Sequence, residues 1–136
     1  RLRHYRLYYL PCNNLVMAIV RKSDNVIEFV INGGDGLPLT ISTMVELEIL
    51  VYQLPKTIIQ RWLITNGDIT IINDISGIVE VRLDRANTKL LNFKSDAKAE
   101  VAGSFTDATF EGGIRREVDT DIELTIVEDS PTAYEA

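Results

Sequence analysis

Residues 43–52 read Thr-Met-Val-Glu-Leu-Glu-Ile-Leu-Val-Tyr, and their alternation decides the fold class. Val45, Leu47, Ile49 and Val51 fall on one parity, Glu46 and Glu48 on the other. Successive side chains of an extended chain point to opposite faces, so this period of two predicts a half-buried strand. The same grammar repeats on both sides. Upstream, residues 25–31 are β-branched and aromatic and end in Asn32-Gly33-Gly34-Asp35-Gly36, a loop whose glycines accept positive φ. Downstream, Pro55 breaks the run, and a strand is predicted over 57–65 with the only tryptophan, Trp62. Asn66-Gly67-Asp68 is a strong hairpin signal and predicts 69–72 as the return strand. Beyond Asn73 to Gly77, Ile78–Leu83 alternates apolar with charged residues. Residues 84–92 lose the alternation. Asp84 is placed to cap a short helical turn carrying Leu90 and Leu91, read as a crossover between two sheets. Residues 97–105 and 114–127 complete about seven strands, parted by a flexible tip at 106–113.

This pattern describes an all-β antiparallel sandwich with one short helical crossover. No internal repeat of roughly 20–50 residues argues for a solenoid or propeller. The alternation predicts a core of Val45, Leu47, Ile49, Trp62, Val79, Val81, Leu83, Val101, Leu124 and Ile126.

With 136 residues the chain has the size of one domain, and 46% hydrophobic with 25% charged residues is a globular composition. A domain this size buries about two-thirds of its unfolded surface and needs no staple. Cys12 is the sole cysteine, which excludes an internal disulfide and any zinc site built on several thiolates. The net charge of −6, from 20 acidic against 14 basic residues, repels phosphate backbones and argues against sequence-independent nucleic-acid binding. No apolar run approaches the ~20 residues that span a bilayer.

The two ends differ from the body at 17–128. Residues 1–16 form a basic, aromatic segment in which Arg1, Arg3, Tyr5, Arg6, Tyr8 and Tyr9 are the candidate partner-binding residues. The segment lacks the continuous apolar stretch and cleavage site of a signal peptide. It reads either as an arm that docks on an acidic partner, ordered only there, or as an over-extended frame ahead of a start at Met17. Residues 129–136 are expected to be an acidic, frayed tail.

Candidate chemistry is sparse. Nucleophilic catalysis would depend on His4, the only histidine, and nothing near it or Cys12 resembles a thiol or serine protease. No catalytic, cofactor or metal site is expected. Asp119, Asp121 and Glu123 recur every second residue and could make a calcium site or an acid pair. The favoured reading is a solvated outer face, with Val118, Ile122, Leu124 and Ile126 on the buried one. The glycines at 33–36 lack the lysine of a phosphate-binding loop. Trp62 could stack on a sugar but suits a core position better.

One family has these pieces in this order. Lys22-Ser23-Asp24-Asn25 leads into Ile27-Glu28-Phe29-Val30-Ile31. Asp35-Gly36-Leu37-Pro38-Leu39-Thr40 precedes the next strand. Asn73-Asp74-Ile75-Ser76-Gly77 opens the alternating run from Ile78 to Leu83, and Thr88, Leu90 and Ala99-Glu100-Val101 follow. The arrangement resembles the immunoglobulin-like domain of tailed-bacteriophage virion proteins, above all the N-terminal domain of upper baseplate proteins. The resemblance spans about residues 20–127. It departs from the family at Lys94-Ser95-Asp96-Ala97, where a Gly-Tyr-like signal is usual. The fibre or shaft that often follows in the family is not expected beyond residue 136, which makes a free-standing accessory protein the expectation. The resemblance implies a non-enzymatic structural or accessory protein made in the bacterial cytoplasm and carried in the virion. Its partners would be capsid, neck or baseplate proteins, with a homo-oligomer or ordered array, and neither nucleic acid nor membrane. The alternative is an extracellular ligand- or carbohydrate-binding module, which would need a row of exposed aromatics. A third class, an enzyme's accessory domain, would need a linker.

Overall fold

The computed structural model describes residues 3–9, 18–33, 37–54, 57–92 and 97–127. Among them nine strands form: β1 (Arg3–Tyr9), β2 (Ala18–Val20), β3 (Asn25–Asn32), β4 (Glu46–Gln53), β5 (Thr57–Leu63), β6 (Thr70–Asn73), β7 (Ile78–Leu83), β8 (Ala97–Thr106) and β9 (Ile114–Val127). One short helix, α1 (Arg85–Thr88), lies between β7 and β8. The strands build a four-stranded sheet in the order β1-β3-β7-β6 and a five-stranded sheet in the order β2-β9-β8-β4-β5. Pairing is antiparallel throughout except for β2, which lies parallel to β9. The fold is an all-β sandwich with one helical crossover, and β1 and β2 extend the seven expected strands.

Facing residues of the two sheets make one core. Ile27, Phe29, Ile31, Val79, Val81 and Leu83 come from the four-stranded sheet. Leu47, Ile49, Val51, Trp62, Ala97, Ala99, Val101 and Leu124 come from the other. Each large side chain withdrawn from water in this way contributes about 1.5–3 kcal/mol. The Trp62 indole N–H donates to the Arg82 carbonyl at 3.1 Å, which satisfies its one polar atom and ties β5 to β7. Eight of the ten expected core residues are buried and Ile126 is half-buried. Val45 is the exception at 46% exposed. It precedes β4, where its N–H donates to Ser104 O at 2.8 Å, and Ile41 and Met44 fill that end of the core instead.

Three further expectations are corrected. First, Asn66-Gly67-Asp68 does not close a hairpin. Residues 64–66 wind into a 3-10 turn ended by Gly67 at φ +77°, and the chain leaves the five-stranded sheet for the four-stranded one. Glu46 pins this turn by accepting from the Thr65 hydroxyl and the Thr65 N–H. Burial pushes the Glu46 carboxyl up. The Thr65 hydroxyl and the N–H groups of Thr65, Leu47 and Ile64 outweigh it and hold the group below its ordinary value. Second, β9 does not keep one parity. Ala99 faces Ile122, but Val101 faces Asp119, so β9 carries an extra residue opposite Glu100. This bulge moves Val118 to the outer face, 40% exposed, and separates Asp119 from Glu123, which lie on opposite faces. Third, residues 3–9 do not stand apart from the sandwich. Their backbone pairs antiparallel with β3, giving its outer edge a hydrogen-bonding partner. Met17, residues 34–36 and the tail at 129–136 lie outside the described residues.

The crossover is stitched to its neighbours by polar contacts. Asp84 precedes α1 but makes no side-chain cap; Asp24 accepts from the Arg85 N–H at 2.7 Å instead. Thr88 is fully buried, its hydroxyl 3.0 Å from Ser23 O. Gln53 and Asn92 exchange side-chain and backbone hydrogen bonds of 2.5 and 2.8 Å. Leu91 enters the core, while Leu90 stays exposed.

Candidate functional site

An alternating strand at the middle of a sheet with one open face should place only polar residues on that face. β4 breaks this rule. Its outward parity continues from Glu46 and Glu48 into Leu50 and Tyr52. Leu50 stands between Arg61 of β5 and Glu100 of β8, and Tyr52 between Ile58 and Lys98. These residues make a depression of about 200 Å³ on the outer face of the five-stranded sheet, lined by Leu50, Tyr52, Ile58, Arg61 and Glu100. Leu50 and Tyr52 form its floor, each 7% exposed, while Ile58 stands up at 51%. A bulge in β5 between the Gln60 and Ile58 pairings turns Ile58 outward and leaves Ile59 in the core.

The rim is charged. Arg61 pairs with Glu48 at 2.8 Å, and Arg116 reaches the same carboxylate at 3.4 Å. The Glu48 charge is thus already shared by two guanidinium groups. Among the described residues, the Glu100 carboxylate has no ion-pair or hydrogen-bond partner. The arrangement offers apolar area within a charged rim, on which Arg61, Arg116 and Lys98 stand with Glu48 and Glu100. It holds no nucleophile–base pair.

A second concavity lies at the open flank between β5 and β6–β7. It is polar, lined by Gln60, Asp68, Thr70, Glu80, Arg82 and Asp84 beside Trp62. Most of its groups are engaged internally. Gln60 donates to Arg82 O at 3.1 Å and accepts from Asn87 at 2.8 Å, and Arg82 pairs with Glu80 at 3.2 Å.

The sequence-derived candidates fall elsewhere. Arg3, Tyr5, Arg6, Tyr8 and Tyr9 lie along β1 at the edge of the opposite sheet, with Tyr8 in register with Glu28 and Tyr9 with Ile27. Tyr5 and Arg6 fall within the irregular step between His4 and Leu7; Arg1 lies outside the described residues. Trp62 is buried at 3% exposed and offers no stacking platform. The depression was visible in sequence only as the uninterrupted apolar run from Ile49 to Tyr52, where alternation would have required polar residues at 50 and 52.

Among the described residues, no helix is long and apolar enough to cross a membrane. Within the same residues, no group of three or more His, Cys, Asp and Glu side chains is placed to hold a metal ion. No protein-family model matches the chain, and no curated protein matches it significantly.

Proposed function

We propose that this chain is a non-enzymatic, immunoglobulin-like accessory protein of a tailed-phage virion that binds other virion proteins through the outer face of its five-stranded sheet. The phage class rests on the resemblance carried by residues 22–31, 35–40 and 73–83. The binding surface rests on one observation: an apolar floor of Leu50 and Tyr52, with Ile58 exposed beside it, bordered by the charged residues Glu48, Arg61, Lys98 and Glu100. Apolar area rimmed by polar groups is the signature of a protein-binding patch. The test is direct. Purified particles of the encoding phage should contain the chain at fixed stoichiometry, and cross-linking within them should join Lys98, at the lip of this face, to another virion protein. A chain found in infected cells but absent from washed particles would overturn the reading.

A further inference from the structure

Among the described residues two asparagines precede a glycine, Asn32 and Asn66. In that pairing the side-chain amide carbon lies within reach of the next backbone nitrogen, and glycine, lacking Cβ, leaves the approach open. Asparagine counts among the thermally labile residues. The fold treats the two pairs differently. Asn32 ends β3, in register with Arg3 and bridged to Pro38. Its neighbour Gly33 is buried and donates its N–H to Leu37 O at 2.8 Å. Asn66 instead closes an exposed 3-10 turn, and its side chain makes no hydrogen bond among the described residues. A Cβ on Gly67 would meet nothing within 4 Å, so the space around that residue is open to water. Two sets of bonds hold the turn shut. The Gly67 N–H donates to Ile64 O at 3.0 Å, and Glu46 accepts from the Thr65 N–H and hydroxyl. The Gly67 nitrogen is free to attack only when the first bond opens, and the second set fixes the turn in which that bond is made.

We propose that Asn66 is a site of spontaneous deamidation, gated by Glu46 through its grip on Thr65. The Gly67 nitrogen, its proton lost to hydroxide, bonds to Asn66 Cγ. The Cγ–Nδ2 bond breaks, and ammonia leaves with a proton taken from water. A second water then opens the cyclic imide. Attack at Cγ gives aspartate, and attack at the main-chain carbonyl carbon gives isoaspartate, with the backbone rerouted through Cγ. Either product places a new negative charge two residues from Asp68, in the connection that carries the chain from one sheet to the other. The test incubates the full chain at mildly alkaline pH and follows the peptides carrying residues 32 and 66 by mass spectrometry, with isoaspartate resolved by chromatography. In the folded chain Asn66 should react at least about tenfold faster than Asn32, whose exposure requires breaking buried backbone hydrogen bonds. In guanidinium the two rates should converge. Glu46→Gln should speed Asn66 by about three- to tenfold, the loss of charge-assisted bonds, and leave Asn32 unchanged. Thr65→Ala, which removes only the hydroxyl bond, is the milder variant and should act in the same direction. Equal rates at both asparagines in the folded chain, or no reaction at Asn66 while the unfolded chain reacts, would overturn the site. Variants that speed both asparagines alike, or neither, would overturn the gate.

Discussion

Gly77 shows how one residue can decide whether two loops meet. Its φ is +70°, and a Cβ placed there would lie 2.5 Å from the Ile31 carbonyl oxygen and 2.8 Å from that of Leu39. Both contacts are to backbone, so nothing flexible can give way. Gly77→Ala should cost at least about 2 kcal/mol of unfolding free energy in denaturant titration. Gly67 has a similar φ of +77° but open space around it, so Gly67→Ala should cost only about 1 kcal/mol. Equal losses would show that backbone conformation alone governs both sites. A second residue-scale test concerns Glu28, which faces Glu80 across the β3–β7 ladder. Burial first, then the Glu80 charge, raises the Glu28 carboxyl above its ordinary value of 4.5. The folded state thus holds this proton more tightly than the unfolded chain, and stability falls as pH rises from about 4.5 through the folded value. Glu28→Gln should melt higher than the parent at pH 7, with the gap closing near pH 4. A gap that does not change with pH would exclude this cause. Neither feature was legible beforehand: both glycines read simply as turn formers, and a Glu–Glu pair exists only once two strands find their register.

Strands were legible where the period of two ran unbroken. The β3–β7 and β4–β8 ladders have continuous register, and the residues of the expected core that lie in them, Leu47, Ile49, Val79, Val81, Leu83 and Val101, are buried, while Leu50 and Tyr52 of the other parity are buried as well. The misreadings cluster where a strand carries one residue too many. Alternation through 118–126 puts Val118 beside Ile122, yet the bulge opposite Glu100 places them on opposite faces, because a bulge is selected by sheet twist and has no residue signature here. Ile122→Ala should therefore cost about 2 kcal/mol or more, as a truncation in the core. Val118→Ala should stay within about 0.5 kcal/mol. Comparable losses would restore the uninterrupted strand. The β8–β9 connection illustrates the same limit. Its tip is organised by Asp107, which accepts from the Thr109 hydroxyl at 2.6 Å and from Arg115 at 2.9 Å. The Thr109 hydroxyl and N–H, joined by Arg115, hold the Asp107 carboxyl below its ordinary value against slight desolvation. The glycines at 112–113 announced a turn but not this bracing. At the other end of the molecule, the backbone ladder of β1 implies that removing residues 1–9 lowers the melting temperature of the isolated chain. An unchanged melting curve would favour the arm reading of that segment.

At the scale of the molecule, fold class was readable because composition, alternation and turn spacing agree on two packed sheets, while assignment of strands to sheets was not. The Asn-Gly-Asp signal at 66–68 is local, whereas the sheet entered by β6 depends on where β7 already pairs with β3. The depression was equally hidden, since Leu50 and Tyr52 gain meaning only from what β5 and β8 set beside them. The core runs through both sheets without a break, so thermal unfolding should be a single cooperative transition by circular dichroism and calorimetry alike. Two separate midpoints would divide the sandwich. The parallel pairing of β2 with β9 also sets a timetable. Ala18 lies opposite Thr125, so the ladder that completes the five-stranded sheet joins segments far apart in the chain. A nascent chain can assemble β4 with β5, but β2 must wait until β9 has been made. Such distant closures place folding in the millisecond-to-second range. Until β9 is made, β2 with Ile19 and the pairing edge of β8 lack their partner, so the emerging chain, rather than the finished domain, is where chaperone attention and aggregation risk concentrate.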